Sequence, residues 1–213
     1  MRKELQYFSI DKSYGGNQSW LRDPMMRLGG CGAATACDSC ICLGLLHNKK
    51  GLYPYKLDQL SKEDYIRFVM EMKPYLRPRI QGINTLKLFI EGFSQFLADQ
   101  KEYEVGLEEF SGENSLMKAK EAIRRQIRIN LPIPYLLLRH KSQRMKFFVW
   151  HWFLIIGYEE FEEEFYVKAV TYGNYHWLSL KELWDTGYKE KGGMVIINTA
   201  SKEEELNLGQ GIS

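Results

Sequence analysis

The sequence predicts an α+β fold, with helices in the first part of the chain and an antiparallel sheet in the rest. The run from Ala33 to Leu46 has no proline and is rich in Ala, Leu, Ile and Cys, which is typical of a buried helix. Amphipathic helices follow this run. From residue 131 onward, short runs of aromatic and β-branched residues alternate with polar connections, as in a set of strands. This segregation of helices from strands is characteristic of the α+β class.

Most elements of the first part are helices with recognisable ends. Residues 1–30 predict irregular structure, in which Asp23-Pro24 marks a turn or a helix start. The buried helix comes next, with Cys31 at its N-terminus. The later helices are predicted at 65–72 behind an N-cap at Ser61, from Asn84 or Thr85 to about Leu97, and at 116–128 with a basic outer face.

The second part predicts five strands and one short helix. We expect a single domain over residues 1–213, with a mainly helical lobe at 1–130, a sheet lobe at 131–200 and a loose tail at 201–213. The predicted strands are 133–138, 147–158, 165–171, 175–178 and 194–198, with the helix at 179–184.

Composition excludes several classes of function. The chain has 213 residues and a net charge of +2, from 29 basic and 27 acidic residues. This balance gives no electrostatic argument for nucleic acid as a partner. No apolar run reaches the roughly 18 residues of a membrane span, and the N-terminus lacks the apolar core of a signal peptide. We therefore expect a cytoplasmic protein with no membrane span, and no oligomeric state is predicted.

The cysteines argue against both a disulfide framework and a metal site. All four lie between positions 31 and 42, whereas disulfides tie distant segments together. Cys37 and Cys40 form a C-x-x-C pair, but no second pair of ligands follows, and the spacing falls inside a predicted helix. We expect reduced thiols, no metal and no cofactor.

Cys31 is the strongest candidate for chemistry. It follows Gly29-Gly30 at the start of the buried helix, where free backbone N–H groups and the helix dipole favour a negative charge. This position predicts a lowered thiol pKa and a nucleophilic thiolate. The glycines allow a tight turn that leaves the sulfur accessible to a substrate.

His151 is the best candidate for a general base. It lies in a strand of apolar residues, where a buried imidazole needs a polar partner. The other histidines are less suitable. His47 is at the far end of the cysteine helix, about 24 Å from Cys31. His140 is in a basic turn, and His176 is on a short strand beside Trp177.

These residues together resemble the papain-like cysteine protease superfamily, and most closely its compact bacterial branch that includes bacteriocin-processing peptidases. The resemblance covers most of the chain. Its motifs are a glutamine near the N-terminus, Gly-Cys-Gly at the central helix, His151-Trp152 followed by Gly157-Tyr158, and then Val170-Thr171-Tyr172-Gly173. It implies a papain-like fold, in which the helix that carries the cysteine packs on the antiparallel sheet.

The resemblance also implies roles for individual residues. Cys31 is the nucleophile that forms an acyl-thioester, and His151 is the general base and later the acid. Gln18 helps to hold the oxyanion together with the backbone N–H of Cys31. Thirteen residues separate Gln18 from Cys31, more than is usual in the family. The chain must therefore bulge at Asp23-Pro24, or Asn17 serves instead.

The group that orients His151 stays open at this stage. The asparagine of the family falls on Val170, which cannot accept a hydrogen bond. Thr171 is one step along and can accept one, whereas Asn174 lies past the turn. Either Thr171 or a backbone carbonyl orients the base, or the site is a Cys–His dyad.

Three functions fit these residues. The first is a cysteine peptidase or amidase that hydrolyses a peptide or protein substrate. The second is a protein that has kept the fold and lost turnover, and that binds a peptide or partner; the absence of the usual third residue favours it. The third is an acyltransferase, which uses the same Cys/His pair and passes the acyl group to an amine.

Overall fold

The computed structural model describes residues 1–79 and 82–199. The tail predicted at 201–213 lies outside the described residues. The α+β class is confirmed, since helices and an antiparallel sheet form the described part. No helix in this part is long and apolar enough to cross a membrane.

The helices begin at side-chain caps in most cases. Ser61 and Thr85 accept hydrogen bonds from the backbone N–H groups of Asp64 and Leu88, which confirms both as N-caps. Short 3₁₀ helices cover Gln18–Trp20, Lys50–Leu52 and Gln143–Phe148. The α-helices are α1 (Pro24–Gly29), α2 (Cys31–Leu46), α3 (Lys62–Met72), α4 (Leu86–Asp99), α5 (Leu116–Arg128) and α6 (Leu180–Trp184).

The strands form one large antiparallel sheet and one small hairpin. The large sheet has the order β4-β9-β5-β6-β7-β8, and β1 also pairs with β6. The hairpin joins β2 to β3. The strands are β1 (Arg2–Glu4), β2 (Ser9–Ile10), β3 (Ser13–Tyr14), β4 (Val105–Ser111), β5 (Ile133–Leu137), β6 (His151–Phe161), β7 (Glu164–Thr171), β8 (Asn174–Ser179) and β9 (Gly193–Thr199).

The central strand β6 is covered on both faces, because successive side chains of a strand point to opposite sides. Trp152 stacks on Phe89 of α4, with ring centroids 4.2 Å apart. Phe153 stacks on Tyr135, whose hydroxyl donates to the carbonyl of Leu183 in α6. The cysteine helix α2 packs against β6 and is buried along most of its length. This packing places the start of α2 beside the start of β6.

Several elements differ from the sequence prediction. Residues 1–30, predicted as irregular, form β1, the hairpin of β2 and β3, a 3₁₀ helix and α1. The strand predicted from Phe147 begins at His151, because Gln143–Phe148 forms a 3₁₀ helix. The edge strand β4 (Val105–Ser111) was not predicted. Its two glutamates and its glycine interrupt the alternation of apolar and polar residues that is typical of a half-buried strand. The segment is a strand because it pairs with β9.

Candidate active site

The N-terminus of α2 is fixed by a junction of two helices. Gly30 ends α1 and is also the N-cap of α2, so that Cys31 is the first residue of the second helix. The N–H of Gly30 donates to the carbonyl oxygen of Met26 at 2.8 Å. A Cβ at position 30 would clash with that oxygen, and the junction therefore requires glycine.

Helix α1 accounts for the long separation between Gln18 and Cys31. Asp23 accepts a hydrogen bond from the N–H of Met26 at 2.9 Å, and Pro24 occupies the first helical position. The bulge expected at Asp23-Pro24 is thus a short helix of six residues. It is inserted directly before the nucleophile candidate.

His151 follows an abrupt change in backbone direction. Trp150 has a φ of 55°, a left-handed conformation that large side chains rarely adopt. Its N–H donates to the carbonyl of Leu138 at 3.0 Å, and its side chain is 47% exposed. The kink turns the chain from a 3₁₀ helix into β6 and leaves His151 as the first residue of the strand.

The structure brings Thr171 and His151 together. Nε2 of His151 lies 2.7 Å from Oγ1 of Thr171, the last residue of β7. The adjacent Val170 pairs with Leu154 and is only 2% exposed, so it belongs to the core. Of the groups that the sequence left open as partners of His151, Thr171 is the one in contact with the ring.

Tyr172 is a site residue that the sequence analysis did not single out. Its ring lies parallel to that of His151, with an interplanar angle of 4° and centroids 5.0 Å apart. Tyr172-Gly173 is the two-residue turn between β7 and β8, with φ values of 50° and 74°. The available signal was this X-Gly pair between two predicted strands, directly after Thr171.

The N-terminal segment holds this turn in place. The side-chain amide of Asn17 donates to the carbonyl of Tyr172 at 2.9 Å. The N–H of Gly173 donates to the carbonyl of Gly16 at 3.0 Å, and the N–H of Tyr14 donates to the carbonyl of Gly173 at 2.9 Å. Three hydrogen bonds therefore fix the position of the tyrosine beside His151.

Cys31, His151 and Tyr172 line one cleft of about 1200 Å³. Its rim carries exposed apolar side chains on two sides. Met25 and Leu28 of α1 lie on the cysteine side, and Phe147 and Trp150 lie on the histidine side. A cleft of this size, with apolar walls and a few converging polar groups, is typical of a binding site for a small molecule or a peptide.

Burial decides the charge state of the two candidate catalytic groups. Cys31 is 8% exposed, and its burial raises the pKa of the thiol. Backbone N–H groups of Trp152, Gly32 and Cys31 itself oppose that rise without outweighing it. The prediction of a lowered pKa was therefore wrong. Burial also lowers the pKa of His151 to about 4, so that at neutral pH a thiol faces the same cleft as an uncharged imidazole.

Gln18 lies close in sequence to the site and is engaged elsewhere. Its amide nitrogen donates to the carbonyl of Met26 at 3.2 Å and to that of Arg27 at 3.0 Å. Its buried oxygen Oε1 has no hydrogen-bond partner among the described residues. Gln18 is also absent from the described residues that line the cleft. The side chain braces α1, and its role in holding an oxyanion stays a prediction.

The remaining candidates are not among the described residues that line this cleft. Nε2 of His47 is 3.0 Å from the carbonyl of Asn130, and Nε2 of His140 is 2.8 Å from that of Glu182. His176 packs edge-on against Phe148. The other three cysteines are fully buried and unbridged. Within residues 1–79 and 82–199, no group of three or more His, Cys, Asp or Glu side chains is placed to hold a metal ion.

No protein-family model and no curated protein sequence matches this chain. The function must therefore be argued from the site itself.

Proposed function

We propose that the protein is a papain-like cysteine peptidase or amidase, in which Cys31 attacks a peptide or amide carbonyl and His151 carries the proton. One observation supports this above all others. Cys31 at the start of α2 and His151 at the start of β6 line one cleft, while Nε2 of His151 lies 2.7 Å from Oγ1 of Thr171. This arrangement supports the proposal, because Cys31 and His151 stand in the chain order of nucleophile and base in the family that the sequence resembles, and Thr171 offers a group to orient the base.

The contact with Thr171 determines which nitrogen of His151 acts. When Nε2 of His151 carries the proton and donates it in a hydrogen bond to Oγ1 of Thr171, the basic lone pair of the ring is on Nδ1. That nitrogen takes the proton of the Cys31 thiol as sulfur bonds to the carbonyl carbon. It then gives the proton to the departing amine, and a thioester remains. Water, activated by the same nitrogen, hydrolyses the thioester and restores the thiol.

The substrate class follows from the cleft. Exposed apolar side chains flank the site, namely Leu28 at 86% exposure and Phe147 at 54%. Apolar side chains of an extended peptide, one on each side of the scissile bond, would remove these surfaces from water. A peptide or protein substrate therefore fits the cleft better than a small polar amide.

A second candidate function is a peptide-binding protein without turnover. The observation that favours it is the burial of Cys31 and His151, which opposes the charged form of both groups. In this reading the cleft binds its partner, and the Cys31 thiol is no more reactive than an ordinary buried thiol.

Alkylation separates the two functions. We expect His151→Ala to slow the labelling of Cys31 by iodoacetamide at pH 6 to 7 by at least about tenfold, because the imidazole takes the thiol proton as sulfur attacks. Cys37 and Cys40 serve as internal controls, since both are fully buried. His176→Ala, on β8, is the matched histidine control. Equal labelling rates in wild type and His151→Ala would refute the enzyme.

The reaction type is then read from products. Wild type and Cys31→Ala are incubated with a library of unstructured peptides, with and without an added amine. We expect new carboxyl termini that form only with wild type. Amine adducts in place of carboxyl termini would show an acyltransferase instead.

A further inference from the structure

We infer that the hydroxyl of Tyr172, and not the side chain of Gln18, is the second hydrogen-bond donor to the oxyanion in this site. The first donor is the backbone N–H of Cys31 at the start of α2. The inference rests on the proposed function, because an oxyanion forms only when Cys31 attacks a carbonyl. It assigns a catalytic role to a residue beyond the predicted set of Cys31, His151, Gln18 and Thr171.

The hydrogen bonds of Gln18 leave it without a donor for the substrate. Its amide nitrogen is held by two carbonyl oxygens, those of Met26 and Arg27. Turning the amide over would place Oε1 against these same oxygens, where two acceptors repel. The inserted helix α1, to which both carbonyls belong, therefore keeps the amide in its present orientation.

Tyr172 has the opposite properties. Its hydroxyl forms no hydrogen bond within the described part of the chain, and the residue lines the cleft together with Cys31 and His151. Its ring is held parallel to the imidazole, so its position relative to the base is fixed. Burial raises the pKa of the Tyr172 phenol, and the negative charge of Cys31, when the thiol is ionised, raises it further. The phenol therefore stays protonated and able to donate at neutral pH.

The backbone at Tyr172 is strained, and the surrounding structure maintains the strain. A φ of 50° is unfavourable for a tyrosine at the first position of a two-residue turn, where Asn, Asp or Gly is usual. Gly173 packs so closely against Ser13 that a Cβ at position 173 would clash with Oγ of Ser13. Backbone strain of this kind clusters at active sites and ligand clamps.

The step that Tyr172 serves is the addition of sulfur to the carbonyl. The S–C bond forms, the π-electron pair of C=O moves onto oxygen, and the thiol proton passes to Nδ1 of His151. The Tyr172 O–H hydrogen-bonds to the oxyanion without transferring its proton. The electron pair then returns to carbon and expels the leaving group. Alkylation by iodoacetamide displaces iodide at a saturated carbon and forms no oxyanion.

This difference gives the test. Cys31 acylation by p-nitrophenyl acetate is followed in a single turnover by release of p-nitrophenolate, after subtraction of the Cys31→Ala background. Cys31 alkylation by iodoacetamide is followed in parallel. We expect Tyr172→Phe to slow acylation by about 10²-fold or more, as for loss of an oxyanion donor, and to change alkylation by less than about threefold. Tyr175→Phe on β8 is the matched control and should change neither rate.

Each other outcome overturns the assignment. Unchanged acylation in Tyr172→Phe would remove the hydroxyl from the step. An equal loss in both reactions would show that Tyr172 acts through His151 as a positioning residue. Selective loss of acylation in Gln18→Ala, with Tyr172→Phe unaffected, would return the role to Gln18. Failure of the proposed function would be seen separately, as equal rates of Cys31 alkylation in wild type and His151→Ala.

Discussion

Replacing Thr171 by valine tests how far the site depends on the orientation of His151. Valine keeps the shape of threonine and removes the hydroxyl that lies 2.7 Å from Nε2. The imidazole is only 5% exposed, so water has little access to replace the lost acceptor. A buried donor without a partner costs about 1–3 kcal/mol. If that cost is carried into the transition state, it corresponds to a rate about 5-fold to 150-fold lower.

The assay is the second-order rate of Cys31 alkylation at pH 7, measured by mass spectrometry on folded protein. We expect a loss within that range in Thr171→Val and a rate close to wild type in Thr171→Ser, which keeps the hydroxyl. The pH profile adds a second readout. Loss of the acceptor favours the proton on Nδ1, the nitrogen that must receive the thiol proton, so Thr171→Val should react only as the thiol itself ionises at high pH. Equal rates in wild type and Thr171→Val would refute the role of Thr171.

Two further predictions concern stability. Burial raises the pKa of Asp38 to about 6, against the opposing hydrogen bonds from Tyr7, Tyr65 and the N–H of Gly16. Because this folded-state pKa exceeds the unfolded value near 4, the stabilisation is present at low pH and about 3 kcal/mol of unfolding free energy is lost as pH rises from about 4 to about 6. The free energy of unfolding of Asp38→Asn, measured with urea, should not show this loss. A difference in unfolding free energy between the two proteins that does not change with pH would contradict the prediction. His151 makes stability change with pH in the opposite direction, but it does so equally in both proteins and cancels from the difference. Gly173→Ala forces a Cβ into the left-handed turn and onto Ser13, and it should lower the unfolding free energy by about 1–3 kcal/mol. Gly51→Ala is the control, since an added Cβ there meets no atom within 4 Å. Equal stability of the two variants would contradict the close packing of Gly173 against Ser13.

The elements with clear periodicity could be predicted from sequence. α5 was predicted at its observed bounds, Leu116–Arg128, and the structure shows an amphipathic helix capped by Ser115. Cys31 at the start of a helix and His151 in a strand were predicted from continuous apolar runs instead. β4 was missed because pairing with β9, and not its own pattern, makes it a strand.

The interactions within the site could not be predicted in the same way. The helix-terminus argument for Cys31 was correct about the backbone N–H groups. It did not include burial, which depends on tertiary packing and has the larger effect on the thiol. The hydrogen bonds of Gln18 depend on α1, which the sequence indicated only as a turn or a helix start. Tyr172 reaches His151 through a turn that the N-terminal segment holds from a distance in sequence.

The neutral resting state determines where the proposed enzyme must place its hydrogen bonds. A preformed thiolate–imidazolium pair would have its charges in place before the substrate arrives. Here both charges arise only as sulfur attacks the carbonyl, in surroundings where an unpaired charge is costly. The positive charge develops on His151, whose Nε2–H is met by Thr171. The negative charge develops on the substrate oxygen, to which the proposal assigns two donors, the N–H of Cys31 and the hydroxyl of Tyr172. A site with a neutral resting pair depends more on these hydrogen-bonding groups than a site whose cysteine and histidine are already charged. Thr171→Val and Tyr172→Phe should therefore each slow acylation of Cys31 while the fold remains intact.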